Sequence, residues 1–341
     1  MYLEVGGRVP RPRRMNVFTI ARNCFLESIR QPVYAVLVLA GVLALILNLN
    51  LAAYTFEDDD KLLVDLGLST LFVTGLLLAA FTAASVLSRE IDNKTVLTVV
   101  SKPVGRPAVV VGKYLGVAAA LTLAFWTLAA AFLLTVRHRV RPGADVTDAF
   151  DLPVLTFALL FGGLAIGAAA LLNYLYRRPF PSVLAGSLAI GLTAALAMVC
   201  CIDRQWRLQH PLTDWNSQLM IALALVLEAI LVLAAVAIAA STRLGQVLTL
   251  MVCAAAFLTG LVSEYFLGTR VADATGGTLA LALRPLYVAV PNLQAFWMAD
   301  ALTQGATISI RYLITASLYA AAMIGALVSL AVLLFQRRDV G

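Results

Sequence analysis

Apolar residues gather in eight long stretches: 33–56, 62–87, 113–136, 153–175, 182–202, 218–240, 247–267 and 311–335. A helix needs about 20 mostly apolar residues to cross the hydrocarbon core of a bilayer. Each stretch meets that length or exceeds it. None shows the every-second-residue alternation, over about ten residues, of a membrane barrel strand. Helices are then the remaining way to satisfy the backbone in lipid. The predicted fold class is all-α, a polytopic transmembrane helical bundle of about eight spans.

The polar breaks divide the chain. Residues 1–14 hold Arg8, Arg11, Arg13 and Arg14 with Pro10 and Pro12, and read as a basic disordered arm near anionic headgroups. Residues 15–31 repeat apolar groups at Val17/Phe18, Ala21, Cys24/Phe25 and Ser28/Ile29, which predicts an interfacial amphipathic helix. Pro32 ends it and turns the chain into the first span. That span is too long for a signal-peptide core, so no cleavage is expected. Residues 32–341 form one transmembrane domain, with a polar, basic loop at 88–112. In that loop Ile91, Thr95 and Val99 share a helical face, predicting a short helix from about Arg89 to Val100. Pro103 and Pro107 prevent its simple continuation. The acidic turn Glu57–Asp60 lacks the glycine and the distal acid of a calcium loop and reads as a solvated cap. Residues 268–310 carry short apolar runs broken by Arg284-Pro285, Pro291 and Asp300. None is long enough to cross, which predicts re-entrant or interfacial helices.

Composition agrees: 61% of the 341 residues are hydrophobic and 13% charged, against about 25% charged in soluble domains. The net charge of +6 is uneven. With the N-terminus in the cytoplasm, most Lys and Arg fall on the inner side, in residues 1–32, the 88–113 region, Arg177-Arg178, Arg243 and Arg337-Arg338. That asymmetry predicts cytoplasmic termini. Arg137, Arg139 and Arg141 oppose it, and the aspartates of the same loop count little toward the rule. The basic balance therefore points to lipid, not to nucleic acid. Four cysteines without a C-x-x-C pair and two separated histidines predict neither a disulfide framework nor a metal site.

No phosphate-binding G-x-x-x-x-G-K-[ST] loop is present, so neither ATP nor another cofactor is expected on this chain. No nucleophile–base pair is visible, so an enzyme is not expected. Glu228 is the one ionisable residue deep in a span. It has two readings, a pathway acid or an interhelical hydrogen bond; both need protein or water beside it. Gly112 and Gly116, and Gly163 and Gly167, are pairs spaced four apart that favour close helix packing, within the chain or against a second copy.

Between the second and third spans the chain carries Arg89-Glu90-Ile91, Lys94-Thr95, Ser101-Lys102-Pro103, Gly105-Arg106 and Gly112-Lys113-Tyr114. In order and spacing this run resembles the cytoplasmic loop of the type-2 ABC exporter permeases. The resemblance extends to the N-terminal helix, the first five spans and the last span. It departs in having eight spans where the family core has six, the extra pair falling within 218–267. It implies two permease chains around one pathway, in a homodimer or a related heterodimer, with separate ABC ATPase subunits that hold ATP and Mg. Arg89, Glu90, Ile91, Asp92, Lys94 and Thr95 would form the coupling contact, and Lys102 and Arg106 suit lipid phosphates as well. The short helices of 268–310 would close the outer end. The expected location is a bacterial cytoplasmic membrane. An ion-driven secondary transporter would need broken helices and more buried acids. A non-transporting ABC membrane subunit would need a large outer domain. Apolar walls suit lipids, peptides or drugs alike.

Overall fold

A computed structural model describes residues 16–52, 59–92, 105–139, 151–211, 213, 216–268, 287–288 and 290–336, with side chains described to Val86 in the second span and Phe266 in the seventh. Among these residues the regular structure is helical, apart from one antiparallel bridge between Ile202 and Leu208. Helix α1 is Val17–Arg30. The eight spanning-length helices are α2 (Pro32–Ala52), α3 (Asp59–Asp92), α4 (Arg106–His138), α5 (Leu152–Tyr176), α6 (Phe180–Cys201), α7 (Ser217–Ser241), α8 (Gln246–Ser263) and α10 (Ile310–Gln336). A 3-10 turn at Gln294–Phe296 and the short α9 (Ala299–Thr303) lie before α10. The chain is an integral membrane protein with an all-helical fold.

Several boundaries follow from local chemistry. Helix α3 begins at Asp59, with Asp59 and Asp60 in its first turn, where carboxylates oppose the positive end of the helix dipole. It then runs unbroken to Asp92. No proline or glycine lies between Ala79 and Asp92 to stop it. The helix expected to begin separately at Arg89 therefore starts as the end of the second span; residues 93–104 lie outside the described residues. Helix α4 opens with Pro107 in its first turn, where a missing N–H costs nothing. Helix α5 is capped by the Asp151 side chain, which accepts from the Val154 amide at 3.2 Å. The Asn216 side chain does the same for α7 through the Gln218 and Leu219 amides.

Among the described residues the eight spanning-length helices bring the start of α2 and the end of α10 to one end of the bundle. A hydrogen bond from Arg106 Nη1 to the Gln336 carbonyl, at 2.8 Å, joins the start of α4 to the end of α10 there. Helix α7 is the centre, packed against α3, α4, α8 and α10. Val232–Leu233–Ala234–Ala235 and Ala237–Ile238 are all fully buried, as expected of a helix that is apolar all round inside a bundle. Helix α5 is equally apolar yet packs almost wholly on α6. It leaves Leu159, Leu164, Leu171 and Leu175 exposed.

Candidate functional site

At the end of the bundle where α4 starts and α10 stops, several helices are tied together. Helix α1 buries Ile20, Cys24, Ser28 and Ile29, chiefly against α4. The two helices approach closely because Gly112 and Gly116 present no side chain. A Cβ on Gly112 would meet Ile20 at 2.8 Å, and one on Gly116 would meet the Ala21 carbonyl at 2.5 Å. Cys24 Sγ donates to the Lys113 carbonyl at 3.4 Å in the same seam. Gln31, between α1 and α2, accepts from Ser85 Oγ of α3 at 2.8 Å. That bond lies one turn before Arg89. Arg89, Glu90, Ile91 and Asp92 occupy the last turn of α3; Lys94 and Thr95 lie outside the described residues. Arg106, which suits a lipid phosphate as well, donates from Nη1 to the Gln336 carbonyl, a place where a cation also complements the negative end of a helix.

In mid-bundle, Ser317 Oγ of α10 donates to Glu228 Oε1 of α7 at 2.6 Å. The second oxygen, Oε2, is buried and has no hydrogen-bond partner. The interhelical bond is therefore present, and the orphan oxygen leaves the pathway reading with a place to act. Ser317→Ala is expected to cost about 0.6 kcal/mol, the average for such bonds in membranes. Replacing both groups, as Glu228→Leu with Ser317→Ala, removes the orphan as well. It should leave the melting temperature of the purified chain close to wild type. A drop of many degrees in the double variant would show that Oε2 is satisfied in the purified protein, by water or by a second copy of the chain.

At the opposite end the segment 290–308 is packed into the bundle instead of lying over it. Leu293, Phe296 and Ala299 are buried. The Leu293 amide donates to the Gly260 carbonyl of α8 at 3.0 Å. A Cβ on Gly260 would meet the Pro291 carbonyl at 2.6 Å, so only glycine permits this approach. Trp297 stacks on Phe72 of α3 with centroids 5.8 Å apart, and Phe72 meets Phe257 edge-on at 5.1 Å. Tyr319 accepts from the Asn292 amide, and Tyr312 donates to the Ala295 carbonyl. Glu264 Oε2 accepts from both Tyr287 and Asn292 at 2.7 Å. That carboxylate, with burial adding, raises the Tyr287 phenol above its ordinary range. The phenol stays neutral and the contact is complete below the unfolded value of about 10. It is lost only as pH climbs through the raised folded value.

At the junction of α4 and α5, Asp151 lies between two arginines. Its Oδ2 is 3.4 Å from Arg137 Nε and 3.5 Å from Arg204 Nε, and its side chain is fully buried. These are ion pairs without hydrogen-bond alignment. Arg137 Nη2 also donates to the Ile202 carbonyl. Arg137, which ran against the expected charge asymmetry, is thus paired locally.

The sequence marked 268–310 as re-entrant or interfacial helices, but neither its anchoring on Gly260 and Phe72 nor the Asp151 cluster was singled out. The available signals were Pro291-Asn292 at the head of an aromatic run, and Asp151 before Leu152-Pro153 as a cap. The second glycine pair behaves unlike the first: a Cβ on Gly163 or Gly167 meets nothing within 4 Å. Among the described residues no group of three or more His, Cys, Asp or Glu is placed to hold a metal ion. No family model matches the chain, and no curated protein matches it.

Proposed function

We propose that this chain is the permease subunit of an ATP-driven exporter of the type-2 ABC class, in a bacterial cytoplasmic membrane. The observation that carries the reading is the run Arg89-Glu90-Ile91 through Gly112-Lys113-Tyr114 between the second and third spans. Its position supports it further. The run leaves the bilayer as the unbroken end of α3 and returns at the start of α4. Both helices are braced there by α1, so a partner gripping Arg89–Asp92 would tilt a rigid lever and not bend a loose loop. The packed plug at 290–308 suits a closed outer end. In this reading two such chains pair, ATPase subunits dock beneath them, and termini and coupling loop face the cytoplasm. The eight-span count departs from the six-span family core. Helix α7, which falls in the stretch expected to hold the extra pair, is the most buried helix of the bundle, with 72% of its apolar window inside. Pathway residues are therefore not transferable from the family.

The test is co-purification of the full chain from its native membrane with an ABC ATPase subunit. Glu90→Arg is expected to cut the ATPase activity of the assembled complex by about tenfold or more, the equivalent of one lost charged contact of about 1.4 kcal/mol. Ion-gradient-driven flux from the chain alone, with no ATPase retained, would establish the secondary-transporter reading instead.

A further inference from the structure

The turn between α5 and α6 is short, fixed and charged. Helix α5 starts beside Arg137, at the far end of α4, so it ends at the side where α4 starts and α10 stops. Its 25 residues measure about 37 Å, more than the hydrocarbon core of about 30 Å, which sets the turn at headgroup depth. Arg177 is in the left-handed conformation, with φ 55°, and its amide donates to the Asn173 carbonyl at 3.1 Å. Asn173 Nδ2 donates to the Arg178 carbonyl at 2.6 Å. Pro179 follows and disfavours a helical Arg178. Two adjacent arginines are therefore held on a fixed backbone.

Both are exposed, and among the described residues neither guanidinium has an ion-pair or hydrogen-bond partner. No Asp or Glu occurs from Leu152 to Ile202, so α5 and α6 supply no counter-charge. A guanidinium fork matches phosphate oxygens. Along α5, Leu160, Leu164, Leu171, Tyr174 and Leu175 share one helical face, and all are exposed. That apolar track ends at the arginines, with Tyr174 at headgroup depth. A second copy of the chain is the other candidate to cover it. A two-fold axis along the membrane normal would bring both arginine pairs together at one depth, with no acid on either hairpin to separate them. Charge therefore selects lipid over a second copy. We infer that the α5–α6 turn binds an anionic phospholipid with two phosphates, of the cardiolipin kind: one phosphate on each guanidinium and acyl chains along α5. The inference does not depend on the exporter reading, since it uses only the membrane-spanning fold.

Native mass spectrometry of the full chain, released from detergent with added lipid, reads the site. One cardiolipin per chain is expected to be retained about tenfold more tightly than phosphatidylglycerol, which has one phosphate, and more tightly still than phosphatidylcholine. Arg177→Asn with Arg178→Gln should cut cardiolipin retention to the phosphatidylcholine level; asparagine tolerates the left-handed backbone, so the turn is kept. Arg243→Gln, at an exposed arginine in the turn between α7 and α8, should leave retention unchanged. Equal retention of the three lipids by the wild type, no loss in the double variant, or an equal loss in Arg243→Gln overturns the site. Displacement of the bound lipid by millimolar inorganic phosphate would mark a free-phosphate site and overturn the lipid assignment. Efficient disulfide dimers of Leu171→Cys, above the background of the four native cysteines, would place a second copy on the face and overturn it as well.

Discussion

Asp151→Ala is expected to lower the unfolding free energy by about 3–5 kcal/mol, the usual cost of leaving a buried charge unpaired. The carboxylate is fully buried and Arg137 is 14% exposed, so water does not replace what is removed. The change also deletes the cap on the Val154 amide at the start of α5, worth about 1 kcal/mol within that total. Arg204 is a control in the same cluster. It is 46% exposed, and Arg204→Ala should cost about 0–1 kcal/mol. Asp151→Asn combined with Arg137→Gln leaves neither charge behind and should recover much of the loss. Thermal unfolding of the purified chain in one detergent compares all of them. If Asp151→Ala is no worse than Arg204→Ala, the cluster is solvated and the argument fails.

Gly116→Val is expected to push α1 off α4. The new Cβ would lie 2.5 Å from the Ala21 carbonyl and 2.6 Å from Cys24 Cβ. Backbone cannot swing aside as a side-chain tip can, so the two helices must separate. Overpacking of this kind costs about 1–3 kcal/mol. Because α1 also holds the Gln31–Ser85 link to α3, the loss should spread to the end of α3 that carries Arg89–Asp92. Limited trypsin digestion at Arg22 and Arg30 reports it: both sites should open in Gly116→Val and stay protected in wild type. Gly163→Val has open space around its Cβ and should change stability by no more than about 0.5 kcal/mol. Protection of α1 in Gly116→Val equal to wild type would contradict the close packing.

The two glycine pairs show what spacing can and cannot say. Four-residue spacing identifies a face on which a helix is able to pack. It does not identify what packs there. Gly112 and Gly116 meet α1, an element outside the eight spans, whereas Gly163 and Gly167 meet no part of the described chain. Glu228 is similar. A carboxylate ten residues into an apolar stretch demands a polar neighbour, but that neighbour, Ser317, is 89 residues away. The segment 268–310 was legible as re-entrant or interfacial helices, too short and too broken to cross. That Leu293, Phe296 and Ala299 enter the bundle depends on Gly260 and Phe72, which are remote in the chain.

Local pattern alone determined the eight spans, the helix on residues 15–31 and the turn at Pro32, because hydrophobic run length and proline chemistry act within a few residues. Tertiary structure alone decided which apolar helix is central. Helices α5 and α7 have 25 residues each and are both apolar on all sides, yet 17% of one window and 72% of the other are buried. In a bilayer, lipid and protein offer an apolar side chain nearly the same environment, so hydropathy cannot separate them. Shape fit, small residues at close approaches and a few long-range polar pairs make the choice, and these exist only once the helices have met.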